Sequence, residues 1–252
     1  MRVGFYSWSI LFLFVAAWEI FCRTSGISAL IIPTPSAVLQ TLWEGLTIGY
    51  LWPHMWVTTI EIVLGLAVGC VIGFLSGIVL GEIEFVRRLL YPYVLASQVI
   101  PKLALGPLFV IWFGSGVLPT VIITALICFF PLLENSITGI QHVDPQKRDL
   151  FRMMGATRLQ TLIRLKIPSG LPVILAGVRV AVVLSFVGAI VGEFIGANEG
   201  LGAMIIGAQG MMDTTLMFAV FVLITLLGMI FYQTTIIGER WLLSRHTKGE
   251  KT

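Results

Sequence analysis

The chain has 252 residues, of which 57% are hydrophobic and only 12% are charged, and its mean hydropathy is +0.97. A soluble domain of this size has no core large enough for so many apolar residues, so the composition excludes a water-soluble fold and favours a lipid bilayer. The net charge of +3 is modest and gives no indication of nucleic-acid binding.

Six stretches are apolar over a length that approaches or crosses the hydrocarbon layer of a bilayer, which is about 30 Å thick. They cover residues 5–22, 56–80, 93–113, 119–140, 171–195 and 216–237. The sequence therefore predicts six transmembrane helices. The first stretch has a second interpretation as a cleaved signal peptide, because Val15-Ala16-Ala17 resembles a cleavage site, but we favour a retained anchor.

The basic residues predict the orientation of these helices. With the N-terminus in the cytoplasm, nearly all of the 16 Lys and Arg residues lie on the cytoplasmic side, where such residues are retained. Arg23 falls outside, and Lys102 and Arg179 lie within or at the edge of a span. Both termini and the basic segment 143–168 are therefore predicted to be cytoplasmic.

The segment after the first stretch predicts a helix that lies along the outer surface. Thr34 can cap its N-terminus, and Pro35 fits its first turn, where a missing amide proton costs nothing. Val38, Leu39 and Leu42 are expected to be buried by this helix.

A glycine-rich segment, residues 192–213, joins the last two stretches. It contains Glu193, Glu199 and Asp213 but neither Lys nor Arg. This composition fits a re-entrant or short gating helix, and a flexible loop is the alternative.

Segment 143–168 is a polar, basic island that predicts two short helices around a glycine. Asp144 can cap the first helix, and Gly155 supplies a stop that tolerates positive φ. The capping-box spacing that begins at Thr157 starts the second helix, and Pro168 is expected to end it. Each helix has an apolar face opposite its basic residues, which suits a membrane surface or the groove of a partner protein.

Several polar residues fall inside the predicted spans. A charge at the bilayer centre costs about 2.5–3.5 kcal/mol on insertion scales, so such residues should have a partner or line a water-filled path. Glu134 lies near Pro131, which tends to bend its helix. For Lys102 and Arg179, snorkelling or a structural ion pair is the favoured alternative. The residues predicted to line a translocation pathway are Gln98, Lys102, Glu134, Ser185 and Glu193.

Motifs of catalysis and of metal binding are absent from the sequence. There is no phosphate-binding loop, no HExxH, no paired-cysteine site and no GxSxG, so a membrane-embedded enzyme is disfavoured. A helix-turn-helix is also disfavoured, because the island is tethered between two spans. An ion-coupled secondary transporter or channel that uses intramembrane carboxylates remains the alternative to a transport subunit energised by another polypeptide.

The island resembles the EAA loop of binding-protein-dependent ABC transporter permeases. That loop has the pattern EAA, three residues, Gly, nine residues, and I-x-L-P. Asp149-Leu150-Phe151 stands at the EAA position, Gly155 matches the glycine, and Leu165-Lys166-Ile167-Pro168 matches the ending. The spacing is kept throughout, while Asp replaces Glu and two bulkier residues replace the alanines.

Four further stretches resemble the nitrate/taurine/sulfonate branch of these permeases. They are IIPTPSAV, VIPKLALGPLFVIWFGSG, FFPLLENSITGIQHVDP and VGEFIGANEGLG. The resemblance implies an all-α membrane protein with about six transmembrane helices, in the type I ABC permease (MetI-like) fold. One permease domain would then span 1–252, with an anchor and outer segment at 1–53, a core at 54–238 and a cytoplasmic tail at 239–252.

The resemblance also implies partners and site residues. The partners are two copies of a cytoplasmic ABC ATPase, a second permease copy in a homodimer, an extracytoplasmic solute-binding protein and the inner-membrane bilayer. ATP and Mg are used by the ATPase, and this chain is expected to bind no cofactor and no metal. The ATPase-coupling residues would be Asp149, Leu150, Phe151, Arg152, Met153, Gly155, Ala156 and Thr157. Permeases of this branch carry nitrate, taurine, sulfonates, pyrimidines, riboflavin or aromatic acids, and a small polar or anionic solute is expected here.

Overall fold

The computed structural model describes the backbone of residues 2–249 and the side chains of residues 9–244. Every regular element within residues 2–249 is helical. The helices are α1 (Arg2–Thr24), α2 (Pro35–Ile48), α3 (Leu51–Glu82), α4 (Glu84–Val99), α5 (Gly106–Phe113), α6 (Val117–Gln141), α7 (Pro145–Met153), α8 (Arg158–Thr161), α9 (Ile167–Gly196), α10 (Leu201–Gly210) and α11 (Thr214–Gly249). A 3-10 turn at Lys102–Leu105 precedes α5, and a π turn at Leu162–Lys166 joins α8 to α9.

Four helices are long and apolar enough to cross a membrane, among the residues described. They are Leu51–Glu82, Val117–Gln141, Arg158–Gly196 and Thr214–Ser244. A fifth crossing exists if α4 and α5 are counted as one broken span. The first predicted span lies in α1, and part of it falls outside the residues whose side chains are described.

The third predicted span, 93–113, is wrong as a single straight helix. It is divided between α4 and the pair formed by the 3-10 turn and α5, which is bent by 79° relative to α4. Ile100 is extended, with φ −67° and ψ 123°, because the ring of Pro101 disfavours helical conformation in the residue before it. The bend therefore has a local cause.

The core is formed by α3, α6 and α9, whose backbones approach closely through glycines. A Cβ added to Gly69 would lie 2.6 Å from the carbonyl oxygen of Ala125, and one added to Gly73 would lie 2.5 Å from that of Phe129. Lipid supplies little hydrophobic driving force between helices, so small residues that permit tight van der Waals packing stabilise such contacts. The α3–α6 interface is therefore a contact between backbones.

The outer helix α2 forms as predicted, with one correction. Thr34 Oγ1 accepts a hydrogen bond from the Ala37 amide at 3.3 Å, and Val38 and Leu42 are buried against α10 and α11. Leu39 was expected to be buried but is 58% exposed. A helix turns by about 100° per residue, so the position next to Val38 points away from the packed face.

The glycine-rich segment contains a helix, so the alternative of a flexible loop is wrong. Helix α10 buries Leu201 and Ile205 in the same apolar cluster as α2. Spacing of four residues places these two side chains on one helical face. The segment is thereby held against α11.

Pro168 does not end the second helix of the island, contrary to the prediction. The chain continues as one helical run, Arg158–Gly196, because the π turn changes the hydrogen-bond register just before the proline. The amide of Ile167 donates to the carbonyl of Leu162, five residues earlier. An irregular turn of this kind accommodates a residue that has no amide proton.

Candidate functional site

The first helix of segment 143–168 begins as the sequence predicts. Asp144 Oδ1 accepts a hydrogen bond from the Gln146 amide at 2.9 Å, and Pro145 occupies the first turn of α7. An N-cap of this kind satisfies an amide that has no partner inside the helix. Helix α7 therefore starts at a fixed position.

The same helix ends at Met153, and Gly155 closes it in a Schellman motif. Gly155 has φ +72°, and its amide donates to the Arg152 carbonyl at 3.1 Å while the Ala156 amide donates to the Phe151 carbonyl at 3.0 Å. A Cβ at Gly155 would meet no atom within 4 Å. Glycine is therefore favoured here by the left-handed backbone conformation and not by a steric clash with neighbouring atoms.

A capping box starts α8 directly after this turn. The Gln160 amide donates to Thr157 Oγ1 at 3.2 Å, and the Thr157 amide donates to Gln160 Oε1 at 2.8 Å. Reciprocal bonds of this type satisfy two helix-terminal amides at once. The two short helices are therefore separated by a turn of defined geometry.

Segment 143–168 also presents an apolar face to its surroundings. We define the docking face as Leu150, Met153, Met154 and Leu159, which are 55%, 85%, 74% and 64% exposed. Spacing of three and four residues places Leu150, Met153 and Met154 on one side of α7 and its C-cap, and exposed apolar side chains grouped in this way are typical of a protein–protein contact site. Phe151, by contrast, is half-buried.

The base of segment 143–168 is anchored in the helical core. Val143 and Leu165 are buried, and Gly170 of α9 lies against the backbone of Gly139 in α6. Lys166 Nζ donates to Glu82 Oε2 at 2.6 Å, which links the π turn to the last residue of α3. The segment is therefore a structured projection with a buried base.

Two of the predicted pathway residues meet at the bend between α4 and α5. Lys102 Nζ donates to Gln98 Oε1 at 2.5 Å, and both side chains are partly buried. The extended backbone at Ile100 and Pro101 brings them together.

A third predicted pathway residue, Glu134, lies in α6 opposite α4. The Tyr91 hydroxyl is 3.2 Å from its Oε1 and 3.1 Å from its Oε2. Together with Arg87 and Thr138 these side chains line a cavity of about 330 Å³. Tyr91 was missed by the sequence analysis, since a tyrosine in an apolar helix carries no specific signal.

The other two predicted pathway residues are enclosed by helices. Ser185 is 0% exposed, and its hydroxyl donates to the Val182 carbonyl at 2.7 Å. Glu193 is 1% exposed and accepts hydrogen bonds from the Thr58 hydroxyl at 2.6 Å and from the Gly202 amide. The five predicted residues thus do not form one cluster.

Glu193 fixes the N-terminus of α10 together with residues of α3. Thr58 Oγ1 accepts a hydrogen bond from the Leu201 amide at 2.8 Å, and His54 Nδ1 lies 3.0 Å from the Gly200 amide. A carboxylate at a helix N-terminus is stabilised by free amides and by the helix dipole. Neither His54, which was expected to be an interfacial or loop residue, nor Thr58 was assigned this role from the sequence, although their spacing of four places both on one face of α3.

Arg179 pairs with a residue that the sequence analysis did not consider. Its Nε lies 3.1 Å from Glu239 Oε2 of α11, in agreement with the ion-pair alternative.

Among the described side chains, no three His, Cys, Asp or Glu residues are grouped as a metal site would require.

Comparison with known proteins places these features in context. The family described as binding-protein-dependent transport system inner membrane component matches residues 69–242. The chain is 38% identical over 213 residues to the formylaminopyrimidine transport permease protein of Halalkalibacterium halodurans, covering 84% of each chain. It is 34% identical over 233 residues to the riboflavin transport system permease protein of Chloroflexus aurantiacus, covering 92% of this chain and 87% of that protein. It is 29% identical over 229 residues to the putative aliphatic sulfonates transport permease protein of Bacillus subtilis, covering 91% and 83%.

Proposed function

We infer the function of this chain from its family, because it belongs to the binding-protein-dependent transport system inner membrane components. The chain is a multi-pass membrane protein and the permease subunit of an ATP-driven importer of a small solute. Importers of this family work with a separate ATPase and a solute-binding protein. This relationship favours the importer over an ion-coupled secondary transporter or channel.

We propose a homodimer of this chain that carries two ATPase subunits, with both termini and segment 143–168 in the cytoplasm. The positions of the basic residues support this orientation. Helix α1 would then be the first span of the chain and would bring the number of spans to six, with the four long helices and the broken span. The core proposed for residues 54–238 ends inside α11, which continues as helix to Gly249.

The docking face on segment 143–168 is the observation that supports ATPase coupling most directly. Leu150 and Met153 of α7 and Met154, its C-cap, are more than half exposed, and hydrogen bonds fix both ends of this helix. We propose that this face inserts into a groove of the ATPase, together with the remaining coupling residues. These are Asp149, Phe151, Arg152, Gly155, Ala156 and Thr157.

A substitution at Gly155 tests this proposal. Gly155→Asp should leave the protein in the membrane but reduce co-purification of the ATPase and uptake by about tenfold, because Asp adds a negative charge at the carbonyl end of α7, where the helix dipole disfavours it. Gly155→Asn is the matched control, since Asn is similar in shape, is uncharged and tolerates this conformation. Unchanged co-purification and uptake in Gly155→Asp would reject the proposed contact.

Movement of the docked segment would drive transport. We propose that ATP binding closes the ATPase subunits, that α7 and α8 move as rigid pieces, and that the spans alternate between inward and outward openings. Gln98, Lys102 and Glu134 are the pathway residues that retain some exposure. Ser185 and Glu193 would contribute through the helix packing around the pathway.

The solute is proposed to be small and polar or anionic. The three relatives are named for formylaminopyrimidine, riboflavin and aliphatic sulfonates, which share polar groups and little else. A ligand screen on the cognate binding protein identifies the solute, because that protein selects what the permease receives.

A further inference from the structure

The ion pair between Lys166 and Glu82 connects two parts of the molecule that are distant in sequence. The Nζ–Oε2 distance is 2.6 Å, and the two side chains are only 16% and 21% exposed. Lys166 is the last residue of the π turn within segment 143–168, and Glu82 is the last residue of α3. A partly buried pair is less screened by water and salt than one on the surface. This contact can therefore hold segment 143–168 and α3 together when one of them moves.

A neighbouring ion pair provides the contrast. Arg88 and Glu84 also lie 2.6 Å apart, but they are 77% and 63% exposed and are separated by one turn of α4. Exposed pairs within one helix contribute little and connect no separate elements. Two carboxylates two residues apart, Glu82 and Glu84, thus have different structural roles.

Segment 143–168 is already tied to α9 and α6. The chain runs without a break from α8 through the π turn into α9, and a Cβ on Gly139 of α6 would lie 2.9 Å from the carbonyl oxygen of Gly170. Backbones packed this closely move together, because the contact has no flexible side chain to absorb a displacement. Helix α3 also packs on α6 near this end, where a Cβ on Gly81 would lie 3.2 Å from the Ile140 side chain. The ion pair at Glu82 adds a direct contact between α3 and segment 143–168 itself.

Glu82 is also next to the start of α4. A single residue, Ile83, separates α3 from α4 and has an extended conformation, with φ −110° and ψ 96°. Helix α4 ends at the bend where Gln98 and Lys102 meet. A displacement of Glu82 would therefore reach the bend through one short connection and one helix.

We propose that Lys166 and Glu82 are positioning residues that transmit the movement of segment 143–168 to α3 and, through Ile83 and α4, to the bend at Gln98 and Lys102. The inference rests on the proposed role of this segment in ATPase coupling. When the ATPase subunits move segment 143–168, the ion pair makes α3 and α4 follow, and the bend at Gln98 and Lys102 is displaced.

Charge reversal in the reconstituted complex of permease, ATPase and binding protein tests the inference. Glu82→Lys and Lys166→Glu should each reduce ATP-driven uptake by about tenfold, a typical size for coupling between contacting residues, while ATPase co-purification and ATP hydrolysis are retained. The double variant restores an ion pair with the charges exchanged, and its uptake should return to within about threefold of wild type.

Glu84→Lys is the matched control, because it makes the same chemical change two residues away on an exposed side chain and should leave uptake unchanged. Normal uptake in both single variants would overturn the inference, as would a double variant no better than the singles. Loss of the ATPase from the single variants would overturn it as well, since the pair would then act in docking. A wild-type complex that retains no ATPase would instead refute the proposed function.

Discussion

Gly69 lies where α3 and α6 are in backbone contact, and it illustrates how much one methyl group matters in this core. Gly69→Ala should destabilise the protein by about 1–3 kcal/mol, because the added Cβ would be 2.6 Å from the Ala125 carbonyl oxygen and the helices would have to separate. The midpoint of thermal unfolding in detergent measures the effect.

Gly228 in α11 is the matched position for this prediction. The nearest atoms to a Cβ at Gly228 are those of the Phe186 ring at 4.0 Å, so Gly228→Ala fits without adjustment. Alanine favours helix over glycine by about 1 kcal/mol, and the variant should be as stable as wild type or slightly more so. Equal destabilisation by the two substitutions would show that the close approach of α3 and α6 is not the cause.

Helix α10 is a short element whose position depends on polar contacts with α3. Thr58→Val should loosen its N-terminus, because Thr58 donates to Glu193 and accepts from the Leu201 amide. Leaving such buried groups without a partner costs about 1–3 kcal/mol. Faster hydrogen exchange of the amides of α10 measures the loosening.

The control for this prediction is another threonine in a span. Thr225 is exposed and its hydroxyl donates to the Phe221 carbonyl of its own helix, so Thr225→Val should leave exchange in α10 unchanged. If the amides of α10 exchange as slowly in Thr58→Val as in wild type, apolar burial of Leu201 and Ile205 alone holds the helix.

Short-range signals predicted the ends of elements well. Thr34, Asp144, Gly155 and Thr157 act through atoms a few residues away, so their hydrogen bonds can be anticipated from spacing alone. Pro168 could not be placed in this way, because an irregular turn before it decides between a break and a continuation. A local signal therefore predicts the end of a helix only where no change of hydrogen-bond register, such as a π turn, lets the helix continue.

Contacts between residues that are distant in the sequence could not be predicted, for a different reason. The hydropathy of residues 93–113 predicted one span, but hydropathy does not report direction, so the bend between α4 and α5 was missed. Glu82, Tyr91 and His54 gain partners only when helices pack, and no periodicity in the sequence identifies them.

The proposed orientation of the whole molecule can be tested by labelling. In a chain whose three native cysteines are replaced by alanine, Met153→Cys should react with a membrane-impermeant maleimide only after the membrane is permeabilised, and bound ATPase should protect it. Asn198→Cys, on the exposed connection between α9 and α10, should react in intact spheroplasts. The reverse pattern would invert the topology, and a lack of protection at Met153→Cys would remove the docking face.

The bend between α4 and α5 has a consequence for hydration of the bilayer interior. Helix α5 has eight residues and a length of about 12 Å, so the broken span reaches across the membrane only together with α4. The last carbonyls of α4 and the first amides after Pro101 lack helical partners, and hydrocarbon cannot solvate them. Irregular backbone at this depth is tolerated where protein or water surrounds it, so we expect ordered water to enter the membrane region beside Lys102.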